Sequence, residues 1–364
     1  MVADEAGKEM NRLFRVRWRL IVLACLVSVA VAALVLVLWL WQRPGVEERL
    51  RAIDAAHVIP DEENAGRDYA NLILDEMTSS LTHKPLSERV RALTQSVPWR
   101  SADHPEAAQW LADHRAIVAA LLEAGRKPRC WFSVAQMRWH VATQPTTPHE
   151  WAILLLQAGY NDLGEGRTEA GLEKLLCLLR MADHFLAQDH PWYYRLGMDM
   201  AADGLGQYSR LVVEGNVSQD WRTRLEAALP STKDTWAQKS RRLDELADLY
   251  ERALRPDVLE RLSHTRLLTR PSDAMKVPYL VHLSQYRAAR VLAALRRHKD
   301  RTGTWPARLT EVGPYLSPEV LIDPFSGGQF RYGIEDDEFF LYSVVPEGTD
   351  GEGDFVDGRF FRRP

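Results

Sequence analysis

From about residue 59 to about residue 301, apolar side chains recur at helical spacing and predict a succession of amphipathic helices. Trp110, Leu111, His114, Ile117, Val118, Leu121 and Leu122 form one stripe, which Gly125 ends. Leu172, Leu175, Leu176, Leu179, Ala182 and Leu186 form a second. Leu243, Leu246, Ala247, Tyr250 and Leu254 form a third, closed by Pro256. A fourth helix is predicted from about Tyr279 to Lys299. Ile59-Pro60-Asp61-Glu62-Glu63 has the composition of a helix start, with proline at the first position and acids at the positive end of the dipole. Such stripes must bury against one another, so the expected fold is mainly α, an irregular helical bundle or stacked helical hairpins.

The pattern changes at both ends. Leu20 to Trp41 is an uncharged apolar run of 22 residues, which as a helix spans roughly 33 Å. Trp18, Trp39 and Trp41 flank it as interfacial aromatics do, and it is longer than the apolar core of a cleaved signal. It reads as an uncleaved transmembrane anchor. Lys8, Arg12, Arg15, Arg17 and Arg19 before the run outnumber Arg43, Arg49 and Arg51 after it, so the N-terminus is expected in the cytoplasm. The main domain is then expected outside the cytoplasm. After Arg301 the helical period gives way to Gly303, Trp305 and Pro306, a short amphipathic piece from Ala307 to Val312, and a turn cluster at Asp323 to Gly328. Phe330-Arg331-Tyr332 and Phe339 to Ser343 read as two strands joined by an acidic turn at Glu335-Asp336-Asp337. The tail, Glu347 to Asp354, is acidic and glycine-rich. The expected organisation is a cytoplasmic tail (1–19), the anchor (20–41), a charged stem (42–58), a helical domain (59–277) and a small C-terminal α+β module (278–364) with an antiparallel hairpin.

Composition narrows the function. A net charge of −4 over 364 residues lacks the basic surplus of a nucleic-acid coat. Cys130 and Cys177 are the cysteines outside the anchor; a disulfide between them and a pair of buried thiols are both open. His149-Glu150 begins a zinc-protease motif, but Ile153 stands where the second histidine is needed. No nucleophile elbow, phosphate loop or dinucleotide fingerprint is present, so no enzymatic activity is expected. Trp192-Tyr193-Tyr194 is either a ligand platform or core. The basic set Arg287, Arg290, Arg296, Arg297, Lys299 and Arg301 either meets an acidic partner or is a solvated face.

Two resemblances add expectations. Trp151 to Ala182 reads as helix, turn, helix, with Gly164-Glu165-Gly166-Arg167 at the turn and Gly159 facing Gly171, and it resembles a single degenerate tetratricopeptide unit. A helix followed by Gly303-Thr304-Trp305-Pro306, Asp323-Pro324-Phe325-Ser326-Gly327, Phe330-Arg331-Tyr332, Leu341-Tyr342-Ser343 and the acidic glycine loop resembles the globular part of the major pseudopilin of type II secretion. With Ile59-Pro60, Glu63-Asn64-Ala65 and Tyr69, the chain also resembles uncharacterised membrane-anchored helical proteins of planctomycete-type bacteria. The pseudopilin resemblance implies a helix against a small antiparallel sheet, and a calcium site for which Asp350, Glu352, Asp354 and Asp357 are the candidate ligands. Arg17-Trp18-Arg19-Leu20-Ile21 lacks the pilin cleavage signal, so no pilin-like polymerisation is expected. The resulting expectation is a non-enzymatic, membrane-anchored envelope protein that acts as a scaffold or protein-binding module. Its alternatives are an accessory component of a secretion or pilus-like machine and a hydrolase with an unrecognised site.

Overall fold

The computed structural model describes residues 45–78, 98–135, 147–215, 217–230, 234–253, 271–335, 338–343 and 359–361. The chain divides into two units, Met1–Ala52 and Ile53–Pro364. The described part of the first holds the beginning of helix α1 (Val46–Ala56), where Arg51 pairs with Glu47 one turn away. Everything below concerns the second unit.

Its first device is Asp54, near the end of α1. Asp54 accepts hydrogen bonds from Trp131 Nε1 (3.1 Å), Ser133 Oγ (2.7 Å) and the backbone N–H groups of Val134 (2.8 Å) and Ala135 (3.1 Å). It thereby satisfies the otherwise unpaired donors of the helical turn that opens at Val134. His57 stacks on Trp131 at 3.7 Å. The end of the segment read as a charged stem is thus fastened to the helical domain.

Helix α2 (Ala65–Thr78) begins later than Pro60. Asp61 to Glu63 form a turn whose acids pair with Arg67 and Arg129. Asn64 sets the start instead: its Oδ1 accepts from Gly66 N and Trp131 N, both at 2.9 Å. Helices α3 (Pro105–Asp113) and α4 (Arg115–Ala124) share the stripe expected to form one helix. His114 separates them, its ring Nδ1 donating to the Trp110 carbonyl at 2.7 Å. The break is one residue long, so the apolar face continues across it.

The centre is three helices in succession, α5 (Thr147–Gly164), α6 (Thr168–Leu186) and α7 (Pro191–Glu214). Helix α6 buries nearly its whole length, from Gly171 to Leu186. Helix α7 approaches it through glycine. A Cβ at Gly197 would lie 2.6 Å from Leu186 N, and one at Gly204 would lie 2.8 Å from Leu179 Cδ2. His190 caps α7 by accepting from Trp192 N at 3.1 Å. Tyr193 and Tyr194 are core residues, which resolves the aromatic triplet as packing. Helices α8 (Gln219–Ala227) and α9 (Trp236–Ala253) complete the bundle.

Helix α10 (Pro271–Thr302) starts earlier than Tyr279 and carries Pro278 within it. Met275 and Tyr279 bury on either side of that proline and hold the first turns against the main core. Farther along, Ala289 and Ala293 face the main core, while Ala288, Val291, Leu292 and Leu295 face a second one. Two 3-10 turns (Leu309–Tyr315 and Pro318–Leu321) and the strands β1 (Arg331–Glu335) and β2 (Glu338–Tyr342) supply the rest of that second core. β1 and β2 pair antiparallel, Tyr332 opposite Leu341 and Glu335 opposite Glu338. The short strand β3 (Arg359–Phe361), not anticipated, pairs antiparallel with β2 on its other side. The overall expectation of a mainly helical chain with a small antiparallel sheet near its C-terminus is what the structure displays.

Candidate functional site

The hairpin of α5 and α6 is closed by its own turn. Asp162 accepts from Arg167 Nε at 2.7 Å and pairs with Lys174, and Arg167 N donates to the Asp162 carbonyl. Gly159 and Gly171 let the two helices meet backbone to backbone. A Cβ at Gly171 would lie 3.0 Å from Gly159 O and 2.8 Å from Leu163 Cγ. A groove of about 90 Å³ lies between α5, α6 and the C-terminal half of α7. Leu155, Leu156 and Leu163 from α5, Leu172 and Leu175 from α6, and Leu211 from α7 line it beside Gly159 and Gly171.

The charged and amide side chains among the lining residues are Lys174, Gln207, Arg210 and Glu214. Lys174 is already engaged by Asp162. Tyr160 also lines the groove. Its hydroxyl is buried and has no hydrogen-bond partner among the described residues. Burial pushes this hydroxyl up to about 12, with Arg210 opposing and Asp203 reinforcing the shift. At neutral pH it is therefore a protonated donor. Asp203, one helical turn from Asp199, is raised to about 6 by burial; His149 lowers it and Asp199 raises it. An aliphatic slot with one buried donor and a few charged lining residues can hold an apolar side chain while hydrogen-bonding a neighbouring carbonyl.

The other candidates resolve as structure. Most of the basic residues of α10 make contacts within the chain. Arg287 donates to the Ile322 carbonyl at 2.7 Å, Arg297 to Glu226 at 3.0 Å, and Arg296 to Asp300 at 2.7 Å. Lys299 lies over Trp305, 4.2 Å from the ring centre. Buried Lys239 donates to the Gln188 and Leu186 carbonyls (2.6 and 3.2 Å) and to Asp189 (3.1 Å), closing the C-terminal end of α6. Burial lowers its pKa and Asp189 opposes that shift. Cys130 and Cys177 are free and buried; Cys177 Sγ donates to the Leu121 carbonyl at 3.2 Å, and burial pushes this thiol up to about 12.

His149 is exposed at the start of α5. Among the described residues no three His, Cys, Asp or Glu side chains are placed to hold a metal. The calcium candidates Asp350, Glu352, Asp354 and Asp357 lie outside the described residues, as does the expected anchor from Leu20 to Trp41. Among the described residues no helix is long and apolar enough to cross a membrane.

Sequence reading found the glycine pair and missed Tyr160, Gln207 and Arg210. The signal for α7 was present in Pro191 at its start and Gly215 at its end, but Gly197, Gly204 and Gly206 interrupt its apolar stripe. The chain matches no family model, no curated protein and no solved structure.

Proposed function

We propose that this chain is a non-enzymatic binding module, anchored in the membrane by residues 20–41. In this reading its helical domain receives an aliphatic side chain of a protein partner in the groove between α5, α6 and α7. The observation that carries the reading is the groove itself: a lining made mostly of leucine beside Gly159 and Gly171, a buried Tyr160 hydroxyl without a partner among the described residues, and a few charged side chains among the lining residues. Interface pockets likewise combine a place for an apolar anchor with a few polar contacts. Arg210 and Glu214, of opposite sign and one helical turn apart, would set the orientation of the partner segment. The apolar run 20–41 and the arginine bias around it support placing the domain outside the cytoplasm.

The test is purification of the tagged full chain from cross-linked membranes, alongside Leu156→Arg, which puts a charge into the groove wall. A stoichiometric partner held by the native chain and lost from Leu156→Arg, at unchanged helicity, is the expected outcome. A partner profile identical in both would remove the groove from the account.

A further inference from the structure

Strand β1 ends the sheet, whose order is β1, β2, β3. Its outer side has no strand beside it among the described residues. Phe330 N donates to the Leu321 carbonyl at 3.3 Å, so the second 3-10 turn covers the edge as far as the residue before β1.

The hairpin decides which backbone groups face outward. Two residues separate Glu335 from Glu338, and the pair that flanks a two-residue loop is a hydrogen-bonded one. Arg331, Gly333 and Glu335 therefore exchange bonds with Tyr342, Phe340 and Glu338 of β2. Tyr332 and Ile334 turn their N–H and C=O groups to the open edge. Leu341, opposite Tyr332, agrees with this by pairing on its other side with Phe361 of β3.

The side chains alternate in the same way. Tyr332 packs against the second core and its hydroxyl donates to the Pro306 carbonyl at 2.6 Å. Ile334, on the same face, is 41% exposed. On the other face Arg331 and Glu335 are exposed at the two ends of the strand, with Gly333 midway. Arg331 has no ion-pair partner among the described residues. Glu335 stands opposite Glu338, a like-charge pair.

An open edge is a template for another strand, and charges of one sign along it keep strands apart. β1 instead carries opposite charges at its ends and is complementary to itself. Turned antiparallel about Gly333, a second β1 sets its Ile334 opposite Tyr332 and its Tyr332 opposite Ile334. These are the residues whose backbone groups face outward, so both pairs exchange hydrogen bonds. The same register sets Arg331 opposite Glu335 of the second copy at each end, in the non-hydrogen-bonded positions where side chains approach most closely. A slip of one residue aims the outward groups at inward ones, and a slip of two separates the charges.

We propose that β1 pairs with β1 of a second copy of this chain, antiparallel about Gly333, in a symmetric dimer whose sheet runs through both copies. The pairing covers Ile334 with the second copy's Tyr332 and gives Glu335 a cation beside its like-charged neighbour.

The experiment is sedimentation of the full chain in detergent micelles, native and with Arg331→Glu, alone and together with Glu335→Arg. Both side chains are exposed, so neither exchange disturbs packing. The native chain is expected to dimerise reversibly. Arg331→Glu makes both end contacts repulsive and is expected to raise the dimer dissociation constant about tenfold; adding Glu335→Arg is expected to restore it. Register is read separately by co-expressing one chain with Arg331→Cys and another with Glu335→Cys, each also carrying Cys25→Ser. Directly opposed Cα atoms lie about 4.5 Å apart, within disulfide reach, whereas positions 331 and 335 of one strand are roughly 13 Å apart. A disulfide between the two different chains, and none from either chain alone, is the expected result. A monomeric native chain, a dimer indifferent to Arg331→Glu, a double exchange that does not restore it, or the absence of the mixed disulfide would each overturn the proposal.

Discussion

Acidification should unfold this domain through two histidines that no hydrogen-bond network prepares for charge. His190 and His282 are 3% and 1% exposed. Burial holds His190 at about 3 and His282 at about 4. Both folded values lie below the ordinary 6.5, so the unfolded chain takes up protons first. Stability present above pH 6.5 is lost as the pH falls toward the folded values. At pH 5 an unfolded histidine is 1.5 units below its own pKa while the buried one is still neutral, which costs about 2 kcal/mol for each, or about 4 kcal/mol together. Asp203 works the other way. Its carboxyl is raised to about 6, so it costs stability when ionised and returns about 1 kcal/mol between pH 7.5 and 5. The net loss is about 3 kcal/mol, a large fraction of the stability of an ordinary domain. The assay is urea unfolding of the full chain in micelles, followed by tryptophan fluorescence, at pH 7.5 and 5.0. His190→Asn keeps a side-chain acceptor for Trp192 N, and His282→Leu removes a ring with neither nitrogen bonded among the described residues. The double variant should lose the acid sensitivity and show the small opposite slope of Asp203. An equal fall in the native chain and the double variant would refute the assignment to these residues.

Further outcomes follow from the same contacts. Asp54→Ala leaves four donors around Ser133 and Val134 without their acceptor and should cost about 2–3 kcal/mol in a denaturant titration; a change below 0.5 kcal/mol would mean the clasp contributes little. Gly164→Ala would place its Cβ 2.1 Å from the Trp99 carbonyl oxygen, so a drop of about 2 kcal/mol or more in stability is expected from the same titration. Cys130 and Cys177 should resist a maleimide in the native chain and react after denaturation without any reductant, as mass spectrometry would record. If the acidic tail holds calcium through Asp350, Glu352, Asp354 and Asp357, the full chain should melt higher with calcium than with a chelator, and equal transitions would exclude a structural ion there.

The helical period was legible wherever it served burial alone. Leu172 to Leu186 predicted α6, and the Gly159 and Gly171 pairing predicted a close hairpin. Boundaries were less legible where a side chain from a distant segment sets them. Asn64 starts α2 by binding Trp131, and Asp54 opens the turn at Val134; both partners lie more than sixty residues away in sequence. The fourth helix was expected from about Tyr279, yet Met275 and Tyr279 bury deeply enough to carry α10 through Pro278. The charges on α10 looked like a solvent face because their carboxylate and carbonyl partners come from α8 and from the 3-10 turns. The groove was half visible: the sequence shows the glycines beside it, but Tyr160, Gln207 and Arg210 come together only when α7 folds across the hairpin.

A partner received in the groove beside Gly159 and Gly171 can be trapped where it binds. The most direct measurement places a photo-cross-linking amino acid at Gln207, which lines the groove, and at Asp248, on α9 away from it, in the full chain within native membranes. A partner seated in the groove is expected to give one discrete adduct from position 207 that is absent from position 248 and disappears when Leu156→Arg is added. Adducts of equal yield from both positions, or a 207 adduct that survives Leu156→Arg, would contradict it.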